Sequence, residues 1–253
     1  MMEKQKHPML WRWLCAALLL ICAAEGVFLY RAYQKAPALK PAALYEAAVR
    51  DAAFADEDEI MPLVELTRES DLVTWDAAGE RVLLLSWHGT PDAYREGDSI
   101  AASEAEIWAF TDREMIRWYR ENKAGVKDWT LRLEQLIGLP VGSGCTHVSA
   151  FLVRPEDVVR PAYVTDITAQ MLRRSQSAED TAFARWYKSW FDANTLFSYY
   201  ESAYPWTRLG YTYDWADNGR EYGLSEFLIL PGSALEITFT KSTQDFIAYL
   251  ENQ

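Results

Sequence analysis

Leu209-Gly210-Tyr211-Thr212-Tyr213-Asp214-Trp215-Ala216-Asp217-Asn218-Gly219-Arg220-Glu221-Tyr222-Gly223-Leu224-Ser225-Glu226-Phe227-Leu228 carries the strongest pairing signal in the chain. Asn-Gly accepts positive φ at both positions, and the type I′ turn this permits matches the twist of two antiparallel strands. A two-residue turn also fixes register. It sets Asp217 opposite Arg220, Trp215 opposite Tyr222, Tyr213 opposite Leu224, Tyr211 opposite Glu226 and Leu209 opposite Leu228. Pro231-Gly232 predicts a second turn, which puts Leu228 opposite Leu235, Glu226 opposite Ile237 and Leu224 opposite Phe239. Both turns then agree on the inner face, and Arg208, Thr212, Asp214, Ser225, Glu236 and Thr238 fall on a solvated outer face. The expectation is three consecutive antiparallel strands over Leu209–Trp215, Tyr222–Leu230 and Ala234–Thr240, closed by a helix from Ser242 or Thr243 that buries Phe246, Tyr249 and Leu250.

Working outward, Leu72–Trp75 and Val82–Trp87 flank Asp76-Ala77-Ala78-Gly79, a second hairpin pattern. Ile107–Phe110 reads as a strand. Thr111 with Glu114 has the spacing of a capping box for a helix with Met115, Ile116, Trp118 and Tyr119 on one face. Asp128 caps another helix, which Gly138 and Pro140 stop. Val148–Leu152 alternates as a strand, and Pro155 suits a short helical turn. Phe183, Trp186, Tyr187, Trp190, Phe191 and Phe197 recur at helical spacing, a stripe read as core rather than as a carbohydrate platform. The fold class is therefore α+β, a mostly antiparallel sheet with packing helices.

The N-terminus stands apart. Leu14–Ala24 is an unbroken apolar run, preceded by Lys4, Lys6 and Arg12, and apolar residues resume at Val27–Tyr30 after Glu25. The run has the length of a signal-peptide core, while residues 10–30 are long enough to span a bilayer. Resumption after Glu25 favours an uncleaved signal-anchor over a cleaved signal peptide. The organisation is residues 1–35 as a membrane-directed helix, 36–41 as linker and 42–253 as one acidic domain. The short N-terminal tail predicts that this domain lies outside the cytoplasm.

Twenty-five basic residues against 37 acidic ones give a net charge of −12. Six of the basic and two of the acidic residues lie in the first forty, so the rest carries 19 against 35. Such a surface repels a phosphate backbone, and nucleic acid is excluded as a partner. Cys145 is the only cysteine beyond the apolar run, so no disulfide forms within the domain. Three histidines and one such cysteine compose no zinc set, and no metal or cofactor motif is present. Asp56-Glu57-Asp58-Glu59 reads as a solvated turn rather than a cation site.

Pro205-Trp206-Thr207-Arg208-Leu209-Gly210-Tyr211-Thr212-Tyr213-Asp214-Trp215, with Gly223-Leu224-Ser225-Glu226-Phe227, resembles an uncharacterised family of bacterial proteins that share PWTRLGYTYDW-like and GLSEF-like strings. Arg132–Pro140 and Arg154–Pro161 are similar to that family as well. The resemblance covers residues 70–240 and implies membership without an activity, fold or ligand.

Glu226 is the first candidate for chemistry. The register points it into the apolar face between Tyr211 and Ile237, where burial raises a carboxyl's pKa into the range of a general acid or base. A structural hydrogen bond to a tyrosine or an arginine is the competing explanation. Asp214 or Glu156 is the candidate second carboxylate for a hydrolase acting on an envelope polysaccharide. Arg208, Tyr211, Tyr213 and Trp215 are the candidate binding residues. Cys145 and His147 alternate on one strand face, but neighbours on a face project side by side, which makes a poor nucleophile–base pair. The leading expectation is a membrane-tethered binding or accessory domain for a small-molecule, glycan or protein partner.

Overall fold

The computed structural model describes residues 40–253 except 104 and 202, together with residues 15, 18, 19, 22 and 25. The membrane-directed helix expected over residues 1–35, and the linker up to residue 39, lie outside the described residues. No helix among the described residues is long and apolar enough to cross a membrane. Pro41, read as the end of the linker, instead opens the first helix, α1 (Pro41–Ala52), a place that suits a residue lacking an N–H.

An antiparallel seven-stranded sheet organises residues 41–253, which are α+β as the patterning predicts. Its strands are β1 (Val82–His88), β2 (Ser99–Ala101), β3 (Ile107–Thr111), β4 (His147–Val153), β5 (Val158–Val159), β8 (Phe227–Ile229) and β9 (Ala234–Ser242), in the spatial order β2-β9-β4-β1-β3-β8-β5. A separate ribbon pairs β6 (Tyr211–Tyr213) with β7 (Tyr222–Ser225). The Asp76–Gly79 turn forms, because the Asp76 carboxylate accepts from the Glu80 and Arg81 N–H groups and Gly79 takes φ +68°. Its first arm shrinks to a single bridge, Trp75 to Val82.

Four more helices pack on the sheet: α2 (Asp112–Asn122), α3 (Trp129–Leu136), α4 (Ala182–Leu196) and α5 (Thr243–Glu251). Asp128 caps α3 by accepting the Leu131 N–H at 3.0 Å, and Ser242 caps α5 through Asp245. Period-2 alternation in β1 and β4 divides the core. Val82, Leu84, Phe151 and Val153 join Phe227 and Ile237 on one face, while Leu85, Val148 and Ala150 meet Met115, Leu133 and Phe246 of the helices on the other. Tyr187 and Phe191 of α4 cover Val159 and Leu228 at the far end. The aromatic stripe is therefore only half core, since Phe183, Trp186 and Phe197 are exposed.

The hairpin register differs from the sequence reading. Tyr213 pairs with Tyr222 instead of Leu224, and a bulge brings Tyr211 opposite Ser225 instead of Glu226. The cause is the Asp214 carboxylate, which accepts from Arg132, from the Ala216 N–H and from the Asn218 amide. Asn218 Oδ1 in turn accepts the Arg220 N–H, so side-chain bonds replace the tight turn and leave a loop closed by Asp214 N–H to Glu221 O. Only Gly219 takes positive φ there. The strand expected over Tyr222–Leu230 breaks at Glu226, because the Ser225 N–H donates to Glu114 at 2.9 Å rather than to a neighbouring strand. The Thr111–Glu114 capping box is absent for the same reason: Glu114 faces Ser225, and Thr111 makes no side-chain cap. Beyond the break, β8 pairs with β3 and β5, and β9 lies between β2 and β4. Leu228 thus faces Trp108 and Val159, not Leu235. Phe227, Leu228 and Ile229 are all buried, so β8 requires cover on both faces that a simple meander would not supply.

Candidate functional site

Glu226 sits at the junction where the chain leaves the ribbon and enters the main sheet. Its N–H donates to the Gly210 carbonyl at 3.0 Å. Gly210 has φ +88°, and a Cβ there would stand 2.7 Å from Arg160 Cδ and 2.9 Å from Leu63, so only glycine lets Arg160 lie this close. Arg160 is fully buried. It donates from Nη2 to Val64 O at 2.9 Å and Ile167 O at 3.3 Å, and from Nε to Asp166 O, with its guanidinium 5.0 Å from the Phe227 ring centre. Burial pulls its pKa down to about 10, against the fields of Glu114, Tyr222 and Glu226.

Two buried carboxyls share this cation on unequal terms. Glu114 accepts from Ser225 N–H at 2.9 Å, Ser225 Oγ at 3.1 Å and Tyr222 OH at 3.4 Å. Burial nevertheless pushes Glu114 up to about 7. Glu226, 5% exposed, leaves Oε1 with no hydrogen-bond partner among the described residues. Burial raises it well above the ordinary carboxyl range, and the Arg160 charge and the Trp206 indole offset only part of that. The Glu226 carboxyl therefore holds its proton more tightly than an exposed one does.

Glu226 also lines a cavity of about 470 Å³. The floor is β1 and β3; one side is the turn after α3 and the other is the C-terminal end of α4 with the chain that follows it. Trp87, Trp108, Phe197, Tyr204 and Trp206 give it aromatic walls. Trp108 lies 6.2 Å from Trp190 and 6.1 Å from Trp206 between ring centres, and it stays partly exposed although it is the large side chain of a sheet strand. His88 faces the same cavity with Nε2 on Ser149 Oγ at 2.8 Å, and burial lowers its pKa to about 4, so it is neutral.

A second cavity, about 600 Å³, opens beside α1 and the hairpin loop. Asp51, Glu59 and Glu221 each turn a carboxylate oxygen into it, all within 4.8 Å of one another. Of the acidic turn, Glu59 joins this cluster, while Asp56 and Glu57 pair with Arg174. Three oxygens fall short of the roughly six to eight a calcium ion takes. Burial and the neighbouring carboxylates raise Glu221 to about 7 and also raise Glu59, so shared protons relieve the repulsion.

The other candidates separate from Glu226. Asp214, expected on a solvated face, is buried in a bidentate pair with Arg132 at 2.9 and 2.6 Å, and it lines the second cavity. Ser225 and Thr212 are buried too, Ser225 on Glu114 and Thr212 on the Leu136 carbonyl. Arg208 takes φ +60° and donates to the Ala52 and Ala53 carbonyls at the end of α1. Tyr211 OH donates to Glu59 O, Tyr213 OH to Asp51, and the Trp215 indole to Glu134 O and Leu139 O. Of these, Thr212 and Tyr213 border the cavity that holds Glu226. Glu156 is exposed and paired with Arg154. Cys145 precedes β4, so the alternation does not reach it, and burial with the Glu134 charge raises its thiol pKa away from a nucleophile's.

Sequence reasoning passed over Arg160, Glu114 and the aromatic walls. Arg160 had a local signal: one cation inside Val158-Val159-Arg160-Pro161-Ala162, a run otherwise apolar. Trp108 and Trp206 had none, because contact between them depends on strand order. No family model matches the chain, and neither a curated protein nor a solved structure does.

Proposed function

We propose that residues 41–253 are a binding domain for a small organic ligand that enters the aromatic cavity and is anchored by Glu226. The observation that carries this reading is the unpartnered Oε1 of Glu226 in that cavity. A buried polar group left unsatisfied costs about 1–3 kcal/mol, a cost that a ligand's hydrogen bond or charge removes. The mixture of apolar walls and a few polar groups is the usual makeup of a small-molecule site. The apolar run Leu14–Ala24 supports tethering to a membrane, with the acidic domain on its outer side, and the quoted strings support membership in the bacterial family they resemble.

A plug tests the site. Asn194, half-buried at the end of α4, lines the cavity, and Asn194→Trp fills it. The full chain in detergent micelles, titrated with small amines, alcohols and sugars, is expected to show saturable changes in tryptophan fluorescence that the plug abolishes. Saturation unaffected by the plug would move the site elsewhere. Protease added to spheroplasts is expected to digest the domain without lysis, and protection that is lost only on lysis would reject an outward orientation.

One observation favours hydrolysis as a second reading: Glu106 lines the same cavity as Glu226, whose pKa burial raises. Two carboxyls across a cleft are the apparatus of glycoside hydrolysis. Turnover of an envelope polysaccharide, abolished by Glu226→Gln and by Glu106→Gln, is its test.

A further inference from the structure

Resting on the binding reading above, we infer that the ligand is an organic cation, a small ammonium compound whose charge pairs with Glu226 while its alkyl groups lie against the aromatic walls. Charge balance is the first argument. The cavity lining includes two carboxyls, Glu106 and Glu226, and no lysine or arginine among the described residues. Arg160 does not fill the gap. Its Nε and Nη2 are committed to three carbonyls, its buried Nη1 has no hydrogen-bond partner among the described residues, it makes no ion pair with Glu226, and Glu114 contributes the largest of the acidic fields it feels. One buried guanidinium therefore stands against two buried carboxyls.

No cationic side chain of the lining reaches the unpartnered Glu226 Oε1, and a cation entering the cavity supplies that charge. The other nearby groups cannot. His88 is uncharged and tied to Ser149, and the Tyr187 hydroxyl donates to the Ala162 and Arg160 carbonyls.

The walls supply the second argument. Trp108, Trp190 and Trp206 form one cluster with ring centres 5.7 to 6.2 Å apart, and Phe197 stacks on Tyr204 at 6.2 Å. Aromatic faces attract a desolvated cation within about 6 Å of a ring centre through their quadrupoles. An anion meets the opposite field, from both carboxyls and from a net charge of −12. A polyhydroxylated ligand would need many polar partners, and these walls are mostly apolar.

Choline and 3,3-dimethylbutan-1-ol, its neutral isostere with carbon in place of nitrogen, test the charge alone on the full chain in micelles. Choline is expected to bind at least about tenfold more tightly than the alcohol, the factor a desolvated cation–π contact and one charge pair supply. Glu226→Gln is expected to remove most of that factor while leaving the alcohol's affinity within about twofold, which also reports a folded cavity. Calorimetry in buffers of differing ionisation enthalpy should show proton release on choline binding that Glu226→Gln removes, because a paired cation lowers the raised Glu226 pKa and choline carries no proton of its own. Equal affinities for the two probes would overturn the cation assignment and leave the binding reading standing. Failure of both probes, or binding that survives the Asn194→Trp plug, would overturn the two together. If Glu226→Gln does not fold, the probe ratio and the proton count on the unmodified chain still decide.

Discussion

Asp214 and Glu226 are both carboxylates buried among aromatic residues, twelve positions apart on arms of one hairpin. Asp214 meets two guanidinium nitrogens, one backbone N–H and one amide. Glu226 meets a cavity. The difference teaches how to separate a structural carboxylate from an available one: burial alone marks both, and only the census of partners tells them apart.

Removing Asp214 should break that comparison most visibly. Asp214→Ala strands the Arg132 guanidinium, 12% exposed and stacked on Trp118, and should cost about 3–5 kcal/mol in urea unfolding, the range for breaking a buried pair. A loss below 1 kcal/mol would show that the pair is no more than a surface contact.

The second effect is in pH. Glu114 has a folded pKa near 7 against an ordinary 4.5, so the folded chain keeps a proton that the unfolded chain releases between those values. Stability from this group is complete below pH 4.5 and is lost as pH rises through 7, on the order of 3 kcal/mol in all. Glu226 has the same sign and extends the loss upward from the same starting pH. His88, lowered to about 4, contributes in the opposite sense below pH 6.5, so the comparison is between variants: Glu114→Gln should make the change in urea midpoint from pH 5 to pH 8 less negative than in the unmodified chain. Identical pH profiles for the two chains would refute the raised pKa of Glu114.

Gly210→Ala comes third. It demands positive φ of an L residue and drives a Cβ onto Arg160, which should cost about 1–3 kcal/mol and alter the surroundings of Glu226. Thermal unfolding measures it, and an unchanged midpoint would mean that Arg160 can move aside freely.

The smallest effect should be the most informative. Glu226→Gln should change stability by no more than about 1 kcal/mol in either direction near pH 6, since the Glu226 Oε1 has no hydrogen bond to lose and the amide keeps an oxygen in place of the other. A loss comparable to that of Asp214→Ala would make Glu226 structural after all.

Why the hairpin's inner row was legible while its partners and its outer face were not starts from period 2. Reading Tyr213 against Leu224 instead of Tyr222 is a slip of two residues, which leaves every side chain on its own face. Leu209, Tyr211, Trp215, Leu224, Glu226 and Leu228 are accordingly all buried as the pattern implies. The bulge between Tyr211 and Tyr213 takes back one residue of that slip, so that Tyr211 meets Ser225, and Thr212, Asp214 and Ser225, all assigned to solvent, are inside. At Glu114 the spacing fits a capping box equally well with or without a capping bond. Only the approach of the Ser225 N–H decides which partner the carboxylate takes.

By itself, then, the sequence determined the fold class, the caps at Asp128 and Ser242, the inner row of the ribbon and the burial of Glu226, because each depends on alternation or on bonds spanning a few residues. The order β3-β8-β5, the separation of β8 from β9, the seat of Arg160 behind Gly210 and the aromatic walls around Glu226 were decided only by tertiary structure. Those features join residues tens to more than a hundred positions apart. Which long-range contacts form depends on how all the apolar faces are covered at once, and no local period records that.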